Sequence, residues 1–171
     1  MIDAAVVIPV YRTRDGELHI VMVLRNPGGA HGGQIAFPGG KRDPQDATML
    51  DTALREIREE LGLMVPKADV LAELPMEQTR TTGYRVFPYL ARIVVPTRWQ
   101  IAKHEIAELV DVKLSDLTRP GSHDNMTDHL PTDQESEQDS FYQVGPHRLW
   151  GLSYRILCPV LPRLLAGEWN V

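Results

Sequence analysis

The sequence predicts a mixed α/β or α+β sandwich. Three observations support this class: apolar, β-branched runs typical of strands flank one strongly patterned helix, that helix carries a clear apolar stripe, and a second helical segment ends the chain. A chain of 171 residues is long enough to bury a core, and we find no internal repeat in it.

The N-terminal elements indicate a hairpin, because Ala4–Arg12 and Leu18–Arg25 are apolar runs separated by a polar turn at 14–17. Pro9 predicts an edge position or a bulge in the first strand, since proline cannot donate to a sheet. A loop is expected at 26–33. A short strand at Gln34–Phe37 is expected to stop at the turn Pro38-Gly39-Gly40.

The rest of the chain continues the alternation of strands and helices. A helix is predicted at Asp46–Leu61, with Gly62 at its C-cap. Strands are predicted at Val70–Leu74, Arg85–Val95 and Leu109–Leu114, and a small hairpin at 141–142 and 147–150. The terminal segment 151–169 predicts a helix that Pro159 and Pro162 kink or split.

Composition restricts the function classes. The chain is 43% hydrophobic and carries a net charge of −5, which argues against a general nucleic-acid binder. The lone Cys158 excludes an internal disulfide and a cysteine-based zinc site, and suits a reducing cytosol. No apolar run approaches the ~20 residues of a membrane span, and the first residues do not resemble a signal peptide. We therefore expect a cytoplasmic protein without nucleic-acid or membrane partners.

The segment Ser122–Asp139 differs from the remainder. It carries six acidic residues, no Lys or Arg, and few sizeable apolar groups. Such a composition favours a loop at the surface over a packed element. A lid or specificity loop is the alternative.

Three carboxylates of the first predicted helix share one side. At about 100° per residue, Glu56, Glu59 and Glu60 lie within an arc of about 100°, beside the apolar stripe. Carboxylates three and four positions apart repel each other, which Arg55 offsets in part by pairing with Glu59. A solvated acidic face is the simpler interpretation of such a pattern.

The position of the acidic arc favours a metal site instead. Because the arc adjoins the buried stripe, we expect at least one carboxylate to be partly buried and to need a partner. Mg²⁺ and Mn²⁺ prefer oxygen ligands. The turn at Gly39 and Gly40 lets backbone approach a ligand closely. It is not a phosphate-binding P-loop, because Ile35 and Arg42 occupy positions where that motif requires Gly and Ser or Thr.

Together these residues resemble the Nudix box, G-x5-E-x7-R-E-U-x-E-E-x-G-U, where U is aliphatic. The run from Arg55 to Leu63, REIREELGL, matches its second half throughout. The first half is longer by two residues, and Asp46 stands in the place of the first Glu. The spacing PGGKRDPQD and the preceding HGGQIAFPGG resemble the coenzyme A pyrophosphatase-like subfamily. One stretch departs from it, because RNPGGAH (25–31) is one residue shorter and lacks a second basic residue.

The resemblance implies a single α/β/α domain with a mixed sheet over residues 1–171, and hydrolysis of a nucleoside diphosphate linked to another moiety. Coenzyme A or a derivative, cut to 3′,5′-ADP and 4′-phosphopantetheine, is the first expectation. It implies Glu56, Glu59, Glu60 and the backbone of Gly39 or Gly40 as ligands of Mg²⁺ or Mn²⁺. Arg55 would orient Glu59.

The remaining expectations concern the base, the substrate and the partners. The resemblance implies that a glutamate of the Nudix box or an acidic residue of a later loop acts as the general base. Glu105 and Glu108 are the loop candidates, although each is also ordinary surface charge. The substrate-binding candidates are Arg25, His31, Gln34 and Lys41. The partner expected is a small-molecule nucleotide, and homodimers are common among similar proteins.

Rival interpretations stay open. Within the class, ADP-ribose or another nucleoside diphosphate derivative is the alternative substrate. Outside it, the chain could be a non-catalytic nucleotide sensor, although such a binder has no need of all three glutamates. A protein acting on RNA 5′ ends is disfavoured by the acidic balance.

Overall fold

The structure is a computed structural model that describes residues 1–29, 31–79, 82–125 and 140–171. Within these ranges the helices are α1 (Met49–Leu61) and α2 (Gly151–Leu165). The strands are β1 (Ile2–Arg12), β2 (Leu18–Arg25), β3 (Ile35–Ala36), β4 (Gly39–Lys41), β5 (Val70–Glu73), β6 (Glu77–Gln78), β7 (Tyr84–Arg92), β8 (Ile106–Lys113), β9 (His123–Asn125), β10 (Ser140–Val144) and β11 (His147–Trp150).

A mixed sheet forms the centre of the fold. Its strands run in the order β3-β2-β1-β7-β5, while β4 pairs with β1, β6 with β7 and β8 with β2. β1 and β7 are parallel, and the other pairs are antiparallel. The predicted hairpin of β1 and β2 is confirmed by the pairing of Val10 with Ile20. A second, three-stranded sheet has the order β11-β10-β9.

The predicted edge position of Pro9 is wrong, because β1 lies in the middle of the sheet. Val7 donates its N–H to the carbonyl of Pro38, so the nitrogen of Pro9, two residues on, points to the same side. On that side β4 pairs with β1 up to Val6, and β2 pairs with it from Val10. The proline therefore lies between two partner strands, where its missing donor interrupts neither ladder.

The two faces of the sheet bury separate apolar clusters. One face packs on α1 through Ala53, Ile57 and Leu61. The other packs on α2 and the small sheet, with Leu157 and Leu161 among its buried residues. This arrangement confirms the predicted α+β sandwich with a mixed sheet. It also makes α1 a helix with one buried side and one side free for chemistry.

The first helix begins three residues later than predicted. Thr48 is its N-cap, since its side chain accepts the N–H of Asp51 while Asp51 accepts the N–H of Thr48. Gly62 ends it in the left-handed region with φ 71°, which confirms the predicted C-cap. The late start leaves Asp46 in the preceding turn, where its side chain is free to reach another part of the helix.

Other elements differ from the sequence prediction. Gly39 and Gly40, expected within a turn, belong to strand β4 (Gly39–Lys41), which pairs with β1. α2 is one continuous helix despite Pro159 and Pro162, because its buried apolar side chains hold it on the core. It ends at Leu165, short of the predicted end. β6 and β9 were not predicted, and β9 falls within the predicted acidic loop, of which residues 126–139 lie outside the described residues.

Within the described ranges, no helix has the length and apolar character needed to cross a membrane.

Candidate active site

The site is built where β4 lies across α1. Gly39 donates its N–H to the Oε2 atom of Glu60 at 3.2 Å. A Cβ added to Gly40 would stand 2.5 Å from Oε1 of Glu56, and one added to Gly39 would stand 2.2 Å from the carbonyl oxygen of Ala5. Both glycines are therefore required by close approach, one to a carboxylate and the other to a neighbouring strand.

Glu60 is the most deeply buried acidic side chain of the site, at 2% exposure. Burial raises its pKa to about 8, against the opposing effects of the Arg25 charge and the Gly39 N–H. Glu56 is 13% exposed, and burial also raises its pKa although Arg55 pairs with it. The charge of Glu56 also raises the pKa of Glu60. Keeping both carboxylates ionised in this position therefore costs free energy, which a bound cation would offset.

Arg55 connects the carboxylates to the preceding turn. Its Nη1 atom donates to Glu56 at 2.8 Å and to Glu59 at 3.1 Å. Its Nη2 atom donates to the carbonyl of Lys41 at 2.9 Å and to Asp46 at 2.9 Å. The predicted pairing of Arg55 with Glu59 is present, but Arg55 also contacts Glu56 and Asp46, which the sequence analysis did not anticipate.

Asp46, in the turn before α1, holds this arginine in position. Its carboxylate accepts from Arg55 Nε at 3.0 Å, from the Thr52 hydroxyl at 2.9 Å and from the backbone N–H of Asp43 at 2.9 Å. The Arg55 guanidinium holds the pKa of Asp46 at about 2, well below its usual range. Sequence reasoning recognised Asp46 only as the acidic residue of the motif. Its spacing from Arg55 was the signal that could have identified the contact.

Glu59 stands apart from the other two glutamates. Its side chain is 54% exposed. Across the described ranges, no group of three or more His, Cys, Asp or Glu side chains is assembled closely enough to hold a metal ion. The sequence placed three carboxylates on one arc. The structure brings Glu56 and Glu60 under β4 and leaves Glu59 at the solvent side.

The donor set fits a hard divalent cation. Glu56 and Glu60 offer carboxylate oxygens in a poorly hydrated position, and the exposed Glu59 lies three positions after Glu56 and directly before Glu60. A buried carboxylate with a raised pKa gains more from a divalent ion than an exposed one does, because the ion compensates its lost hydration. The backbone of Gly40 lies against Glu56 and could add an oxygen ligand.

Glu105 approaches the same carboxylates from a different part of the chain. Its charge raises the pKa of both Glu56 and Glu60, which places it on their side of the molecule. It lies in the turn before β8, is 49% exposed, and stands 3.5 Å from His104. Glu108, the other predicted base, is an exposed residue of β8 that lies opposite Leu24 of β2 in the sheet.

The predicted substrate residues divide into two groups. Arg25 acts electrostatically on Glu60 and donates its N–H to the carbonyl of Gln34 at 3.0 Å, so these two lie beside the site. His31 is exposed in the neighbouring loop. Lys41 follows Gly40 in the strand, so its side chain takes the opposite face of the sheet, 5.6 Å from the centre of the Tyr84 ring. Only its carbonyl contacts the Arg55 network.

Comparison with known proteins gives consistent relatives. The family model of the NUDIX domain matches residues 1–131. The mouse (Mus musculus) mitochondrial coenzyme A diphosphatase NUDT8 is 34% identical over 98% of this chain and 80% of its own length. The uncharacterized Nudix hydrolase NudL of Pectobacterium atrosepticum is 33% identical over 74% of this chain and 65% of its own.

A solved structure supports the same architecture. The Nudix hydrolase RenU from M. smegmatis superposes with a TM-score of 0.61, covering 99% of this chain and 88% of its own, at 18% identity. At that identity the likeness concerns the fold alone.

Proposed function

The chain belongs to the Nudix hydrolase family, and we propose that it uses a divalent metal to hydrolyse coenzyme A or a derivative to 3′,5′-ADP and 4′-phosphopantetheine. The observation that carries the metal-dependent chemistry is the pair formed by the partly buried Glu56 and the buried Glu60 beneath Gly39 and Gly40. Apolar side chains in these two positions would stabilise the fold better than two carboxylates with raised pKa values. We therefore attribute the pair to metal binding.

Glu56, Glu59, Glu60 and the carbonyl of Gly40 are the proposed ligands of Mg²⁺ or Mn²⁺. The bound metal would activate water and neutralise charge that develops on the phosphoryl oxygens. Arg55 orients Glu56 and Glu59 through its Nη1 atom. Asp46 keeps the guanidinium in place by a two-nitrogen contact.

Glu105 is the proposed general base. It is ionisable, about half exposed and near Glu56 and Glu60, so it could accept a proton from an attacking water and release it to solvent. Arg25, with His31 and Gln34 nearby, supplies positive charge and donors for the substrate phosphates. Lys41 is proposed to act only at the far side of the sheet, on an extended part of the substrate.

The choice of coenzyme A rests on the upstream residues HGGQIAFPGG and on the mouse relative. The shortened stretch at 25–31 supports the alternative, ADP-ribose or another nucleoside diphosphate derivative, because it lacks a basic residue for an additional phosphate. We propose further that residues 1–171 form one domain, that the protein is cytoplasmic, and that it acts on small-molecule nucleotides as a monomer or homodimer, not on nucleic acid or at a membrane.

Product analysis by mass spectrometry tests the proposal. The purified protein is incubated with coenzyme A, ADP-ribose, NADH and a dinucleoside polyphosphate, with Mg²⁺ or Mn²⁺, beside a Glu59→Gln control. Cleavage of coenzyme A to the two named products by the wild type alone is the expected result. Preference for ADP-ribose would replace the substrate, and binding without turnover of any compound would support a nucleotide sensor.

A further inference from the structure

The turn at 102–106 carries Glu105, and backbone hydrogen bonds attach it to the first helix. Ala102 donates its N–H to the carbonyl of Glu60 at 2.9 Å. The carbonyl of Ala102 in turn accepts the N–H groups of Glu105 and Ile106, each at 2.9 Å. The position of Glu105 is thus coupled to the end of α1 that carries Glu60.

Asn26 holds the same turn from the opposite side. Its backbone N–H donates to the carbonyl of Glu105 at 2.9 Å. Its side-chain Nδ2 donates to the carbonyl of Lys103 at 2.9 Å. Asn26 directly follows Arg25, the last residue of β2, so these two bonds join the turn to an edge of the site that contacts Gln34.

Resting on the proposed function, we propose that Asn26 is a positioning residue, which holds the turn 102–106 so that the Glu105 carboxylate stays beside Glu56 and Glu60. The side chain of Glu105 is 49% exposed, so packing does not determine where its carboxylate lies. Its location follows from the backbone of the turn instead. A displacement of about 1 Å at a reacting group can reduce a rate by up to about 100-fold.

The charge of Glu105 acts on both Glu56 and Glu60, which agrees with this placement. His104, at 3.5 Å from Glu105, is the only basic side chain paired with that carboxylate in the described part of the chain, and it is 78% exposed. An exposed contact of this kind contributes little to positioning. The two bonds from Asn26 are the stronger restraint.

A double-mutant cycle between Asn26 and Glu105 tests the inference. Asn26→Ala removes the amide donor but keeps the backbone bond, and Asn26→Asp keeps the shape while setting an oxygen against the Lys103 carbonyl. Lys103→Ala is the matched control, because the contact uses its main-chain carbonyl. Each variant is assayed for kcat and KM on coenzyme A and ADP-ribose with Mg²⁺, for Tm, and for amide hydrogen exchange in the turn.

We expect Asn26→Ala to lower kcat by about 10-fold with KM changed by less than about twofold, and Asn26→Asp to lower it further. Glu105→Gln should lower kcat by about 100-fold or more. In the Glu105→Gln background, Asn26→Ala should have almost no additional effect, because the group it positions is already gone. Exchange at Glu105 and Ile106 should accelerate in Asn26→Ala and stay unchanged in Lys103→Ala.

The outcomes separate this inference from the proposed function. Equal losses from Asn26→Ala in both backgrounds, or unchanged exchange in the turn, would overturn the positioning role alone. A fully active Glu105→Gln enzyme would remove Glu105 as the base, and the role of Asn26 with it. A wild-type protein that cleaves neither substrate would overturn the proposed function as well.

Discussion

Replacing Glu60 by glutamine removes a carboxylate whose ionised form is disfavoured by burial. The side chain is 2% exposed and its pKa is raised from 4.5 to about 8. The unfolded chain releases this proton near pH 4.5, whereas the folded protein retains it until about pH 8. Between these values the folded state binds more protons, so the free energy of unfolding falls as the pH rises.

The size of the effect follows from the shift. At about 1.4 kcal/mol per pKa unit, the metal-free wild type should lose about 1 kcal/mol by pH 5 and about 4 kcal/mol by pH 8 from this group alone. Glu60→Gln cannot ionise and keeps an oxygen that accepts the Gly39 N–H, so it avoids the loss. For a chain of this length, the expected gain in Tm at pH 8 is about 8–16 °C.

Thermal unfolding of EDTA-treated protein measures this at pH 5, 6.5 and 8. Glu59→Gln is the matched control, because the exposed Glu59 is expected to change Tm by about 1–2 °C or less at every pH. Saturating Mg²⁺ should raise the Tm of the wild type far more than that of Glu60→Gln. The reasoning is refuted if Glu60→Gln is no more stable than the wild type at pH 8, or if its advantage is the same at pH 5.

Three further perturbations of the same site give testable predictions. Asp46→Asn removes the anchor of Arg55 and should lower kcat by about 10-fold, as judged by steady-state kinetics. The pKa of Asp46 is lowered to about 2, so its ionised form contributes about 1–2 kcal/mol to the free energy of unfolding above pH 4. This contribution is lost as the pH falls towards 2, and the stabilities of the wild type and Asp46→Asn measured by acid unfolding should converge there. Gly40→Ala places a Cβ 2.5 Å from the Glu56 carboxylate, and isothermal titration calorimetry should show that the affinity for Mn²⁺ falls by about 10-fold or more. An unchanged affinity would contradict the requirement for glycine beside Glu56. Removal of metal with EDTA should abolish turnover, which Mg²⁺ or Mn²⁺ restores; turnover that persists in EDTA would exclude the metal ligands proposed here.

Local patterns determined much of the fold. The α1 stripe, its C-cap at Gly62 and most strands follow from the spacing of apolar residues and from glycine at a left-handed position. The motif from Arg55 to Leu63 identified the family and the carboxylates by residue order alone. These features depend on neighbours within a few positions, which is why they can be read from the chain.

The positions of Pro9, Asn26 and Lys41 in the fold could not be predicted in this way. Pro9 is accommodated by a gap between two partner strands, which depends on where β4 and β2 pair with β1. The side chain of Lys41 is separated from the carboxylates because residue 40 faces them. Asn26 meets a turn 77 positions away.

By itself, the sequence determined which groups the candidate site contains: three glutamates on one helical arc, an arginine that pairs with Glu59 and two glycines before the helix. Only the tertiary structure decided how these groups differ. β4 crosses α1 over Glu56 and Glu60 and leaves Glu59 in solvent, so three residues of one type acquire different burial. That burial raises the pKa of Glu56 and of Glu60. The physical reason is that the desolvation of a charge depends on all the atoms around it, and most of those atoms come from strands far away along the chain.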